Sequence, residues 1–249
     1  MKVGLMGFGK TGKAVANVLL QHTDVSLCWV YRQSHLLENR TVAEFLGIAT
    51  ENDAPVLSAK TISPQQLFER HTVDMVIDFS DAAAIEQYGE AAALHGVKII
   101  SAISHYQPQQ INLLHQLAEK TTVFWSPNIT IGVNYLIFAA KFLQKIAPWV
   151  DVVINEEHFR AKPGISGTAI KMAEALAVDP NTINITRAGG IVGKHEVVFG
   201  FPYQTVRLVH ESISREAFGN GAIFVAQNII NKPNGFYNFE AILLPYFAA

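Results

Sequence analysis

Short apolar runs alternate with amphipathic stretches along the first half of the chain. Lys2 to Met6 reads as a short buried strand, and Thr11 to Gln21 as a helix with Ala14, Val15, Val18 and Leu19 on one face. Val25 to Val30 is a second strand. A helix over Pro64 to Arg70 precedes a strand over Asp74 to Asp78, and Ala82 to His95 is helical with Gly96 closing it. Val97 to Ser101 and Thr121 to Trp125 read as strands, with a helix over Pro108 to Lys120 between them. The stretch from Gln33 to Ser58 has no regular period. Strand, helix and strand at this spacing predict an α/β unit: a parallel sheet covered on both faces.

The pattern changes after Pro127. A helix over Asn134 to Ile146 is followed by Pro148, a strand over Asp151 to Glu157, a loop through Pro163 and Gly164, and a helix over Thr168 to Ala177. Thr182 to Ala188, Gly193 to Phe199 and Gln204 to Ser212 are strand-like, and Phe218 to Asn231 is helical. This predicts a second, α+β domain with a mixed sheet over residues 127–228, after a first domain over 1–126.

Composition narrows the function. Lys and Arg total 19 against 21 Asp and Glu, a net charge of -2. That balance offers no broad basic face for nucleic acid and no polybasic membrane patch. No apolar stretch reaches the roughly 18 residues that a membrane span needs, and the N-terminus lacks a signal-peptide core, so a cytoplasmic protein is expected. Hydrophobic residues make up 49% and charged residues only 16%, which suits a sizeable core and further burial in subunit contacts. The single cysteine, Cys28, lies in an apolar run with no flanking charge to activate it, and reads as a core residue.

Gly7-Phe8-Gly9-Lys10-Thr11-Gly12 is G-x-G-x-x-G set directly between a predicted strand and a predicted helix. Gly7 permits the tight turn, Gly9 lets the backbone approach a pyrophosphate, and Gly12 lets helix and strand pack closely. The helix N-terminus adds N–H donors and a favourable partial charge. The reading is a Rossmann-type dinucleotide-binding domain; a glycine turn with no ligand is the alternative. The second strand runs into Tyr31-Arg32, where an NAD site would place an acid on the ribose hydroxyls. Arg32 can pair with a 2′-phosphate instead, which predicts NADPH in preference to NADH. A solvated arginine is the competing reading.

Glu156-Glu157-His158-Phe159-Arg160-Ala161-Lys162 leads through a Pro-Gly loop into Ser166-Gly167-Thr168-Ala169. A strand end carrying an imidazole and an ammonium is followed by a helix start rich in hydroxyls and N–H groups. Ser166, Gly167 and Thr168 can hold a carboxylate, while His158 and Lys162 can move protons. An ordinary capped helix beside a polar loop has the same spacing, so both readings stand on the residues alone. No metal is expected, because the carboxylates and histidine lack a second set of ligands at helical spacing.

The chain resembles the 4-hydroxy-tetrahydrodipicolinate (dihydrodipicolinate) reductase family along essentially its whole length. The resemblance is carried by the glycine loop, Asp78-Phe79-Ser80, Ser126-Pro127-Asn128-Ile129-Thr130-Ile131-Gly132-Val133-Asn134, Glu156 to Lys162 and Ser166-Gly167-Thr168-Ala169. It continues through Arg187-Ala188-Gly189-Gly190-Ile191-Val192-Gly193-Lys194-His195, His210 to Arg215 and Phe218-Gly219-Asn220-Gly221-Ala222.

The resemblance implies two domains with residues 229–249 returning to the first, and a homotetramer built through the second domain's sheet. It implies reduction of a cyclic imine dicarboxylate in lysine and diaminopimelate biosynthesis, with hydride from NADPH or NADH. His158 would be the catalytic histidine, Lys162 the proton donor, and Ser166, Gly167 and Thr168 the carboxylate clasp. Phe79, Ser80, Ser101, Ile103, Ser126 and Asn128 would line the cofactor together with the glycine loop. Three places depart from the family's pattern. Ser101-Ala102-Ile103-Ser104 stands where Gly-Thr-Thr-Gly is usual, so Ile103 replaces a threonine worth a hydrogen bond of ~1 kcal/mol. The paired histidines become His158-Phe159, and the loop between Lys162 and Ser166 lacks Asp-Ala-Pro and is one residue short. Two rival readings are a reductase of another cyclic imine or keto acid, and a non-catalytic nucleotide sensor.

Overall fold

The structure is a computed structural model and describes residues 1–38 and 40–247. It divides into two compact units, Met1–Ile129 with Phe218–Ala249, and Thr130–Ala217.

The first unit is built on a parallel sheet. Its strands are β1 (Lys2–Met6), β2 (Ser26–Arg32), β3 (Val56–Ser58), β4 (Met75–Asp78), β5 (Lys98–Ser101), β6 (Thr122–Trp125) and β11 (Gly235–Tyr237), in the order β11-β6-β5-β4-β1-β2-β3. All of their pairings are parallel. Helices α3 (Pro64–Arg70), α4 (Ala84–Leu94) and α5 (Pro108–Ala118) share one core with Met6, Trp29, Val76, Ile99 and Val123 of the sheet. Helix α1 (Lys10–Gln21) buries Val15, Ala16, Leu19 and Leu20, and α8 (Glu216–Ile229) buries Ala222, Val225 and Ala226. The middles of the strands are apolar because helices cover both faces, and the polar residues sit at their ends, as at Lys2, Asp78 and Ser101. The chain returns to this unit at Phe218, not at residue 229. Gly219 sits against Val18 of α1, so α8 packs here from Phe218 onward.

Two elements fill the stretch that has no readable period. Helix α2 (Val42–Leu46) is capped by Thr41, whose side chain accepts from Glu44 N, and it ends at Gly47 in the left-handed region; β3 follows it as an edge strand. Helix α9 (Phe239–Phe247) closes the described chain, with Phe239 edge-on to Phe124.

The second unit carries a mixed sheet. Its strands are β7 (Asp151–His158), β8 (Asn184–Arg187), β9 (Gly193–Phe201) and β10 (Gln204–Ser212), in the order β10-β9-β7-β8. Strands β7 and β8 run parallel, and the other pairings are antiparallel. Helices α6 (Ile131–Ile146) and α7 (Gly167–Ala175) cover one face over Val133, Leu136, Ala140, Ile154, Met172, Val197 and Phe199. Helix α6 begins at Ile131 and not at Asn134, because Thr130 serves as its N-cap and Asn134 donates back to the Thr130 carbonyl. On the other face Val153 and Val209 lie exposed. No helix among the described residues is long and apolar enough to cross a membrane.

Candidate functional site

The parallel sheet reverses its winding between β1 and β4, and that is where an open α/β sheet offers a crevice at its strand ends. Two turns meet there. Gly7 donates to the Tyr31 carbonyl (2.8 Å) and Phe79 N to the Met6 carbonyl (2.9 Å). Gly7 has φ +93, and a Cβ on it would lie 2.7 Å from the Phe79 carbonyl oxygen, so only glycine fits. A Cβ on Gly12 would lie 2.3 Å from the Gly7 carbonyl oxygen. At Gly9 nothing lies within 4 Å of such a Cβ, which leaves the backbone open to a ligand. Gly9 is also the N-cap of α1; it supplies no side-chain bond, and the first turn holds no acid. A pyrophosphate is the kind of group that satisfies such a helix start.

A cleft of ≈ 290 Å³ adjoins this loop, lined by Thr11, Phe79, Ser80, Ile103, His105 and Phe218 among others. A second, small cleft, of ≈ 30 Å³, holds Arg32 with Tyr31, Gln33, Ser80, Gln87 and Tyr88. Arg32 makes no ion pair among the described residues and is half-buried. Beneath both clefts lies a buried polar network. Asp78 accepts from Ser80 Oγ (2.5 Å) and Tyr88 OH (2.9 Å), and Ser101 Oγ pairs with Tyr106 OH (2.8 Å). Burial pushes the Asp78 carboxyl up to about 6, against the opposing effect of its hydrogen bonds.

Several expected cofactor residues turn their side chains elsewhere. Phe8 is buried against Phe45, with ring centroids 5.4 Å apart, so only its backbone faces the loop. Ser101 is fully buried and its hydroxyl is committed to Tyr106. Ser126 Oγ donates to the Asn128 carbonyl (2.6 Å) and so shapes a turn. Ile103 keeps a place in the wall of the larger cleft, and its carbonyl accepts from Trp125 Nε1 (2.9 Å). His105, which no motif marked, lies in that wall as well.

The second constellation forms at one end of the mixed sheet. Alternation along β7 turns Glu156 and His158 inward, and antiparallel pairing sets His195 of β9 opposite Glu156. All three are buried, at 1%, 6% and 4% exposure. Glu156 accepts from Arg187 Nη2 at 2.6 Å and from the Ser166 backbone N–H at 3.2 Å. Burial raises this carboxyl, but the bonds from Arg187 and Ser166 outweigh it and hold the group below the usual range. His158 Nδ1 lies 3.5 Å from Glu156 Oε2 without forming a hydrogen bond, and its ring meets His195 edge-on at 5.2 Å. Burial lowers the His158 pKa, helped by the Lys162 and Arg187 charges and opposed by Glu156. His195 falls to about 4 for the same first reason, burial. Both imidazoles are therefore neutral at pH 7.

Ser166 is the N-cap of α7. Its hydroxyl accepts from Ala169 N (3.1 Å) and pairs with His195 Nε2 (3.0 Å). These bonds commit the Ser166 side chain to the scaffold; beside it Gly167 has open space where a Cβ would stand, and Thr168 is half-buried. The expectation that no metal ligands converge looked only along helices. Strand pairing brings Glu156, His158 and His195 ligand atoms within 4.8 Å of one another. Arg187, however, already supplies the cation that neutralises Glu156, and it would repel a second one.

Comparison with known proteins follows the same division. Residues 1–129 match the family described as "Dihydrodipicolinate reductase, N-terminus", and residues 129–243 match "Dihydrodipicolinate reductase, C-terminus". The chain is 32% identical over 188 residues to the 4-hydroxy-tetrahydrodipicolinate reductase of Rickettsia rickettsii (strain Sheila Smith), covering 68% of this chain and 78% of the relative. With the same-named protein of Thermosipho africanus (strain TCF52B) it shares 26% over 249 residues, 99% and 100% of the two chains. Among solved structures, dipicolinate-bound dihydrodipicolinate reductase from Paenisporosarcina sp. TG-14 superposes with a TM-score of 0.79 at 20% identity, over 96% and 97% of the chains. An amine dehydrogenase from Mycobacterium smegmatis gives 0.66 at 12% identity, over 97% and 95%.

Proposed function

The chain belongs to the dihydrodipicolinate reductase family, and on that premise we propose how its residues divide the work. It is an oxidoreductase of lysine and diaminopimelate biosynthesis that reduces 4-hydroxy-tetrahydrodipicolinate (dihydrodipicolinate) to tetrahydrodipicolinate. A nicotinamide cofactor, when bound, supplies the hydride.

In this reading the backbone of Gly7 to Gly12 and the start of α1 hold the cofactor pyrophosphate. What supports it is the open approach at Gly9 and the absence of a side-chain cap or first-turn acid. Arg32 takes the 2′-phosphate of NADPH; its support is a half-buried guanidinium in a cleft at the end of β2, with no ion-pair partner among the described residues. Phe79, Ser80 and Ile103 border the reactive ring.

Gly167 and Thr168 hold a substrate carboxylate at the α7 N-terminus. Lys162 Nζ donates the proton that accompanies hydride transfer, and the resulting amine regains one from solvent through His158, whose neutral imidazole accepts that proton before passing it on. The observation that carries this assignment is the fastening of the whole segment to one buried carboxylate. Glu156 binds Ser166 and Arg187, and Arg187 binds the Lys162 and Gly164 carbonyls. Copies of the chain associate as a homotetramer through the open face of the mixed sheet, supported by exposed Val153 and Val209 on that face.

The test is NADPH oxidation with substrate generated in situ. Lys162→Ala is expected to lower kcat by about 100-fold, and wild-type turnover in that variant would overturn the assignment. Arg32→Ala is expected to erase the preference for NADPH over NADH; an unchanged ratio would count against Arg32. Light scattering of the eluted protein reads the assembly, and a monomer at micromolar concentration would refute the tetramer.

A further inference from the structure

The mechanism above leaves one strong feature unused: a guanidinium gripping the segment that carries Lys162. Arg187 is the last residue of β8 and stands in register with His158 on β7. Its Nε donates to the Lys162 carbonyl (3.2 Å), Nη2 to the Gly164 carbonyl (2.5 Å) and to Glu156 Oε1 (2.6 Å), and Nη1 to the Thr186 carbonyl (2.9 Å). Glu156 in turn accepts the Ser166 N–H at 3.2 Å. One half-buried guanidinium on one buried carboxylate thus fixes the backbone at Lys162, Gly164 and Ser166, every second residue of the loop. Ser166 then caps α7 through Ala169 N.

We propose that Arg187 is a positioning residue for the reduction: it sets the Lys162 backbone, anchored by Glu156, so that the ammonium meets the substrate in donating geometry. This rests on the reading of Lys162 as the proton donor. A lysine side chain is a flexible stem whose reach is aimed only by its own Cα, and a misplacement of about 1 Å can cost on the order of 100-fold in rate. The planar fork matters because three acceptors must be met from fixed directions. A lysine at 187 could satisfy Glu156 but not both carbonyls. Because Arg187 supports the proton-transfer group through the loop, it should act on kcat, and leave cofactor binding by the first unit alone.

The experiment compares Arg187→Met, Arg187→Lys, Lys162→Met and the double variant Arg187→Met/Lys162→Met, in steady-state NADPH oxidation with substrate generated in situ. Thermal melts check folding. R187M is expected to lower kcat by about 100-fold with the NADPH KM within about 2-fold of wild type, and R187K to recover part of that loss. In the double variant the R187M effect should shrink to less than about 3-fold, since there is no ammonium left to aim. Losses that multiply in the double variant overturn the proposal while leaving Lys162 as the donor. Turnover that survives K162M overturns the donor reading and this proposal with it. If R187M fails to melt cooperatively, R187K decides: a folded R187K with wild-type kcat overturns the proposal, and a folded R187K slowed about 10-fold at unchanged NADPH KM supports it.

Discussion

Acid should loosen this protein through His195 as pH falls from 6.5 towards 4. The imidazole is buried, its Nδ1 has no partner, and it lies beside His158. Its pKa moves from 6.5 to about 4, chiefly by burial and next by the neighbouring His158, with Glu156 opposing and His210 and Lys162 adding to the shift. In the unfolded chain this histidine binds a proton near 6.5, and in the native chain only near 4. Between those values the unfolded state holds more protons, so stability falls as pH falls from 6.5 towards 4 and is flat above. A shift of about 2.5 units at 1.36 kcal/mol each corresponds to roughly 3 kcal/mol over the whole window. His158 and His210 are lowered as well and add in the same direction. Glu156 is lowered from 4.5, so its contribution is intact above that value and is lost only below it.

The perturbation is His195→Gln, which removes the titrating group and keeps a side-chain amide near Ser166. The assay has two arms. Imidazole nitrogen shifts followed from pH 8 to 4.5 should leave one resonance, absent in the variant, neutral until below pH 5. Urea unfolding at pH 7, 6 and 5 should show the variant losing less stability per pH unit than wild type, by up to about 1.4 kcal/mol. A His195 resonance that titrates near 6.5, or identical slopes in the two proteins, would refute the reasoning.

Gly12→Ala places a Cβ 2.3 Å from the Gly7 carbonyl oxygen, and backbone cannot yield as a side chain does; fluorescence titration should find NADPH binding weakened by more than about 10-fold. Gly193→Ala sets a Cβ 2.9 Å from His158 Nε2, so kcat should fall while the NADPH Kd, measured by calorimetry, stays put. Tyr88→Phe removes the 2.9 Å hydrogen bond to Asp78. At pH 8, above the Asp78 value of about 6, the ionised carboxylate loses a buried donor, and thermal unfolding should report a loss of about 1–3 kcal/mol.

The fold was most legible where a local signal coincided with a tertiary one. Helix α3 starts and ends where its sequence says, because Ser63 and Gln66 form a reciprocal capping box around Pro64. Strand β10 matches at both ends because Val206, Leu208 and Val209 mark a β-prone run between turn residues, and its burial alternates as in a half-buried sheet. Helix α2 and strands β3 and β11 were not legible. Each is too short to display a period, and each exists because a neighbour is present: β3 pairs with β2, and β11 with β6. At the cofactor loop, spacing identified Gly7 and Gly12, since their roles are properties of the backbone. It could not say that the Phe8, Ser101 and Ser126 side chains point into the protein, because a motif fixes position and not direction. Arg187 and His195 lie in segments that carry the resemblance, and neither receives a role from the sequence. What ties them to His158 and Lys162 is strand register, and nothing within either segment announces its partner.

That register also explains the electrostatic character of the second unit's site. Glu156 and Arg187 cancel each other, and the two adjacent imidazoles are neutral at pH 7. Glu157 is paired with Lys194, so the remaining charges on the segment are the Arg160 guanidinium and the Lys162 ammonium, joined by the positive end of α7. A surface built this way favours an anion with more than one carboxylate, and it does so without an uncompensated buried charge. The same arithmetic gives His158 its condition. Its protonation is disfavoured by burial and by Lys162, and favoured only by Glu156. Two substrate carboxylates entering this neighbourhood add to the side of Glu156 and offset Lys162. In the proposed reading, proton uptake by His158 is coupled to substrate arrival, which ties the relay to Lys162 to the presence of something to reduce.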